Sequence, residues 1–137
     1  MDSVNLQDAN VSAFIALANT YASVIEIEIR DLVRSKWNSN TPSILYDTCV
    51  NLVSIVSLFQ KIIHFKFTDM TPYGICGTVQ QWIDNISTRI LCQISIIVHW
   101  FNRQAQDNPE IADSMNARIQ LWTIISQNMR KFLSSSV

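Results

Sequence analysis

The sequence predicts an all-α bundle built around one long hydrophobic helix. Three observations lead there. Only 2 glycines and 3 prolines occur among 137 residues, too few for the many tight turns of a β-sandwich. Apolar residues recur at three- and four-residue steps through four long segments. Three clusters of turn-forming residues separate those segments. Hydrophobic residues make up 48% and charged residues 15% of the chain, enough to fill the core of a single domain spanning 1–137 and too apolar for a disordered chain.

The first segment carries Val11, Phe14, Leu17, Ala18, Tyr21, Val24, Ile25, Leu32 and Val33 at helical spacing. Inside it, "IEIEIR" alternates with period two, which leaves a break near Glu28 open. The turn "WNSNTPS" follows. Asn40 or Thr41 is placed to cap the next helix, and Pro42 suits its first position, where an N–H has no partner anyway. The second segment runs from Pro42 to Phe67. Between Val50 and Phe59 it is apolar nearly all round, the pattern of a helix buried on every side. From Val50 to Phe67 it would extend roughly 27 Å. Gln60, Lys61, His64 and Lys66 interrupt it, which argues against a membrane span of ~20 apolar residues and against a transmembrane anchor.

The loop "TDMTPYGICG" holds both glycines. A third helix is expected from Thr78 to Gln104, with a wide stripe of Val79, Trp82, Ile83, Ile86, Ile90, Leu91, Ile94, Ile97, Val98 and Phe101. In "QDNPE", Asp107 or Asn108 caps and Pro109 opens the last helix, which carries Ile111, Met115, Ile119, Trp122, Ile125, Met129 and Leu133 more sparsely. Trp37, Trp82, Trp100 and Trp122 read as core or interface anchors.

The residues point to binding rather than catalysis. The net charge is −1 and no basic tract occurs, against a nucleic-acid partner. The polar, acidic start lacks the basic and apolar regions of a secretory signal. The cysteines number 3 and have no metal-site spacing; they read as small buried residues in a reducing compartment. His64 and His99 lie on different helices. Cys92 and His99 can share a helix face, but a metal needs more ligands than that. Glu26 and Glu28 diverge on a helix, and no Glu-x-x-His motif accompanies them. No nucleotide-binding or hydrolase motif appears, so no enzyme, cofactor or metal is expected.

One stretch is more specific. "LYDTCVNLVSIVSLF", Leu45 to Phe59, resembles the first homology region of the Bcl-2 family of apoptosis regulators, whose pattern is close to LFRDGVNWGRIVAFF. Leu45, Val50, Asn51, Ile55, Val56 and Phe59 match without a gap, and Tyr46 takes the place of an aromatic. "WIDNI" at Trp82–Ile86 and "HWFNRQAQDN" at His99–Asn108 are looser likenesses to the family's LVDNI and HTWIQDN. The resemblance implies a Bcl-2-like helical bundle around a central buried helix. Its first helix and its groove-wall helices would then be compressed into the first 40 residues. It further suggests a compact, divergent member of the family encoded by a large DNA virus.

The resemblance also implies a function: inhibition of apoptosis by holding the death-promoting amphipathic helix of a protein such as Bim, Bak or Bax in a surface groove. The implied groove residues are Leu45, Asn51, Leu52, Ile55 and Leu58. Two positions depart from the family. Val53 stands where the family has glycine, and Ser54 where its arginine pairs with an aspartate of the ligand. A neutral hydroxyl offers a weaker bond than a charged guanidinium, so a restricted partner range is expected. Location in the host cytoplasm, at mitochondria through such partners, follows from the same resemblance. Two alternatives stay open: a Bcl-2-fold inhibitor of immune signalling that has lost the groove, and a self-associating helical protein. Self-association is also compatible with helix binding, if a homodimer covers the groove and the ligand helix competes with it.

Overall fold

Four long helices form the structure, a computed structural model that describes the backbone of residues 3–135 and the side chains of residues 8–131. They are α1 (Ser3–Leu32), α2 (Thr41–His64), α3 (Val79–Asp107) and α4 (Ala112–Ser135). Short 3-10 turns lie at Thr71–Tyr73 and Pro109–Ile111.

The buried positions of α1 are Val11, Ile15, Ala18, Ala22, Ile25, Ile29 and Leu32. Those of α2 include Thr41, Leu45, Thr48, Leu52, Ile55, Phe59 and Ile62. Both sets alternate steps of four and three without a break, the repeat that keeps one narrow seam of a helix against a partner along its whole length. Ala18 and Ala22 leave room for close approach at the middle of that seam. Accordingly α1 packs most extensively on α2, α3 packs on α4, and α1 also lies against α3.

Side-chain contacts give the directions. Thr48 meets Glu28 and the Phe65 ring stacks on Phe14 at 6.2 Å, so α1 and α2 are antiparallel. Arg89 bonds to Glu26, and the Trp100 indole N–H donates to the Ser35 carbonyl at 3.0 Å, so α1 and α3 are parallel. The short turn at Pro109–Ile111 reverses the chain, making α4 antiparallel to α3. It follows that α2 and α4 run parallel.

The two ends of the bundle are closed differently. At one end, residues 65–78 cross from α2 to α3. Met70 is fully buried there, its N–H donates to Gly77 O at 2.9 Å, and Phe65, Phe67, Tyr73 and Ile75 pack against the core. The Phe59 ring meets Trp82 edge-on at 5.6 Å. At the other end, the Trp37 backbone N–H donates to Gln104 Oε1 at 2.9 Å, while the Arg118 guanidinium sits 4.5 Å over the Trp37 ring. This ties the α1–α2 connection to both α3 and α4.

Several expectations need correction. The first 40 residues do not hold a set of short helices; α1 runs unbroken for 30 residues. "IEIEIR" lies inside it, since Ile25 and Ile29 fit the seam while Ile27 is exposed. Nor is α2 enclosed on every side. Tyr46, Val50 and Val53 are exposed, with Val53 at 70%. The apolar run looked like all-round burial because composition does not say which apolar positions find a partner. Cys76 and Cys92 are exposed and Cys49 is half-buried, so the cysteines are not core residues as a group. His64 and His99 are exposed as well. The tryptophans behave as expected, with Trp82, Trp100 and Trp122 buried and Trp37 half-buried against the core.

A candidate helix-binding cleft between α2 and α4

The parallel helices α2 and α4 do not close on one another. A cleft of about 360 Å³ separates them, lined by Leu52, Val53, Val56, Ser57 and Gln60 from α2 and by Ile125, Asn128 and Met129 from α4. No carboxylate or cation is among these lining residues. Polar groups sit toward the lip as Ser57, Gln60 and Asn128, while Leu52 and Met129 are buried. An apolar floor with a few neutral hydrogen-bonding groups at the edge suits an amphipathic helix laid along it.

The structure divides the residues that the sequence nominated. Leu52 and Val53 line the cleft. Leu45, Ile55 and Leu58 are buried members of the hydrophobic core. Asn51 is half-buried and, at ~100° per residue, lies nearly opposite the cleft-facing side of α2. Ser54 also points away from it, and its hydroxyl donates to the Val50 carbonyl at 2.9 Å, a local bond that satisfies it within the helix. Sequence reasoning missed the α4 side altogether. A signal was available: Leu121 and Ile124 are apolar yet fall outside the spacing of Met115, Trp122 and Met129, so α4 carries a second apolar stripe that the core does not use.

A larger trough of about 590 Å³ lies on another face, between α1 and α3. Ser23, Glu26, Ile27, Arg30, Val33, Gln93 and Ile96 line it. Arg89 grips both carboxylate oxygens of Glu26, with both side chains about a third exposed. That hydrogen bond holds the Glu26 carboxyl below the ordinary value, against a smaller opposing effect of burial. Burial, helped by the nearby Asp47, raises Glu28 instead. A carboxylate with a lowered pKa in the folded state stabilises the fold above its unfolded pKa, and that contribution disappears as pH falls through the folded value. Replacing Glu26 with Gln should therefore lower Tm at neutral pH and reduce the loss of Tm on acidification. Thermal melts of both proteins from neutral to acid pH test this; parallel curves would contradict it.

Among the described residues no group of three or more His, Cys, Asp or Glu could hold a metal ion. The segment Asp8–Leu32 and the helix Thr41–His64 are each long and apolar enough to cross a membrane by length and composition, and here both contribute buried seams to the bundle. No protein-family model matches the chain, and neither does any curated protein or solved structure.

Proposed function

We propose that this protein acts by binding, not catalysis, and that the α2–α4 cleft takes an amphipathic helix from another protein. The observation that carries the reading is the uncharged, apolar cleft itself, with Leu52 and Val53 of the Bcl-2-like stretch on one wall. The likeness of Leu45–Phe59 to the first Bcl-2 homology region supports a particular ligand class: the death-promoting helices of pro-apoptotic proteins such as Bim, Bak or Bax. On this reading the protein is an inhibitor of apoptosis in the host cytoplasm, with a restricted partner range. The restriction follows from chemistry, since a ligand aspartate finds no cation among the cleft-lining residues, and Val53 adds bulk where glycine would let a backbone approach.

A panel of such peptides titrated by calorimetry tests the reading. Binding by at least one is expected. Val53→Glu should weaken it about tenfold or more, because the new carboxylate would be covered by an apolar ligand face without a partner. Val53 is largely exposed within the bundle, so the variant should remain folded. A folded, monomeric protein that binds no peptide would remove this ligand class.

One observation favours a second reading. Asn51 and Ser54 face away from the cleft, so the family's polar groove edge is not assembled beside it. A protein of this kind would instead use another face, such as the α1–α3 trough, to engage a signalling protein. Peptide binding that Val53→Glu leaves unchanged would favour that alternative.

A further inference from the structure

The cleft belongs to a wider apolar face. On α4, Leu121 stands four residues before Ile125, and Ile124 four before Asn128, so both continue the cleft-lining stripe along the helix. On α2, Tyr46 and Val50 stand seven and three residues before Val53 and do the same. All are exposed: Tyr46 70%, Val50 45%, Leu121 53% and Ile124 52%. Pro42, Ser114 and Ala117 extend the stripes toward the helix starts, and Arg118, on the same side of α4, turns its guanidinium onto the Trp37 ring. Apolar side chains this exposed and this contiguous mark a surface that is covered in use.

We infer that a second copy of this chain covers it, the α2–α4 face of one protomer packing on the same face of its partner about a twofold axis. Charge and size carry the choice. In an isologous contact each residue near the axis meets its own copy, so a charged stripe would repel itself, and at the positions named above Arg118 alone is charged, its guanidinium held over Trp37. The stripes run from Pro42 to Gln60 and from Ser114 to Met129, ~26 Å on average, and two helices of ~10 Å diameter side by side present roughly 500 Å² over that length. Standard stable interfaces bury about 800 Å² per partner. Over two protomers the face amounts to about 1,000 Å², the lower bound for a specific interface, so it suits a dimer that dissociates on dilution. Leu52 and Val53 lie beneath that interface, so self-association and helix capture would exclude one another. This last point rests on the helix-binding reading; the dimer itself does not.

Sedimentation velocity on the full chain over a wide concentration range tests the inference. The wild-type protein is expected to approach twice the chain mass as concentration rises. Leu121→Glu and, separately, Ile124→Glu should be monomers at the same concentrations, with melting curves showing a folded bundle. Leu17→Glu, at an exposed apolar site on α1, should remain a dimer. A wild-type monomer at all concentrations would overturn the proposal. So would dimers that survive both α4 substitutions, or a monomer that instead sediments with neutral phosphatidylcholine vesicles. Titrating a Tyr46→Glu monomer, whose new charge lies about two turns from the cleft lining, with the peptide panel separates the two claims: a wild-type dimer whose monomeric variant binds no peptide upholds the interface and removes only the helix-binding reading.

Discussion

Phe59→Ala is expected to lose about 3–5 kcal/mol of folding stability, the range for emptying a buried aromatic site. Phe59 is 1% exposed and meets Trp82 edge-on at the end of the bundle where the crossing loop is seated. Two costs combine there. The removed ring forfeits its burial, and the cavity has little means of collapsing, because Trp82 is fixed within α3 and Ile55 and Ile62 are fixed within the α2 seam. A domain of this size has a total stability of about 5–15 kcal/mol, so the variant would be near the edge of folding at physiological temperature. Val53→Ala on the same helix is the informative companion. Its expected change is within about 0.5 kcal/mol, since Val53 is 70% exposed. Urea denaturation of both variants measures the difference directly. Comparable losses would mean that α2 is enclosed on all sides, as its composition alone suggests, and not an outer helix with one open face.

Gly77→Ala should cost about 2–4 kcal/mol, a large effect for one methyl group on the surface side of a loop. Gly77 has φ +110°, a backbone conformation that side chains with a Cβ rarely adopt. An added Cβ would also collide with Gln81 Oε1. That oxygen accepts the Thr78 N–H at 2.9 Å, while Thr78 Oγ1 accepts the Gln81 N–H at 3.1 Å, the two halves of the cap that starts α3. Gln81 is exposed and its side chain can swing away, but only by abandoning the cap. Strain and cap loss therefore add. Gly74→Ala is the control. Its φ is +78° with open space around the added methyl, so only the left-handed backbone penalty of about 1–2 kcal/mol applies. The two variants should separate in denaturation midpoint with unchanged slope. Equal midpoints would show that the cap contributes nothing.

The architecture was more legible than the site, for reasons visible in particular residues. Helix starts were legible in part: Asn108, ahead of Pro109, accepts the Glu110 N–H before α4, while Asn40 makes no side-chain cap at α2 and sequence reasoning missed the Thr78 cap of α3. The helical segments were legible, but their seams only in part: on α1, the spacing finds Val11, Ala18, Ile25 and Leu32 and misses Ile15, Ala22 and Ile29, while Leu17, which it includes, is exposed. What periodicity does not carry is which helix faces which. Leu52, Ile55 and Leu58 are equivalent in a list of apolar residues, yet Leu52 borders the cleft and the other two serve the core. The distinction depends on where α4 comes to rest, and α4 is placed by contacts distant in sequence, including Arg118 over Trp37. Similarly, Cys76 and Cys92 look like core cysteines among apolar neighbours. Cys76 lies in the crossing loop and Cys92 points outward from α3, because on a helix the immediate chain neighbours of a residue face other directions.

The central claim is that the α2–α4 cleft is where a ligand helix is held. Methyl-resolved NMR of the Tyr46→Glu protein, whose new charge lies about two turns from the cleft lining, titrated with the tightest peptide of the panel, tests it most directly. Self-association is expected to be absent in that variant, so it cannot mask the cleft. Shifts concentrated at the methyl groups of Leu52, Val53, Val56, Ile125 and Met129 are the predicted result. Shifts concentrated instead at Ile27, Val33 and Ile96 of the α1–α3 trough, with the cleft methyls unmoved, would contradict it.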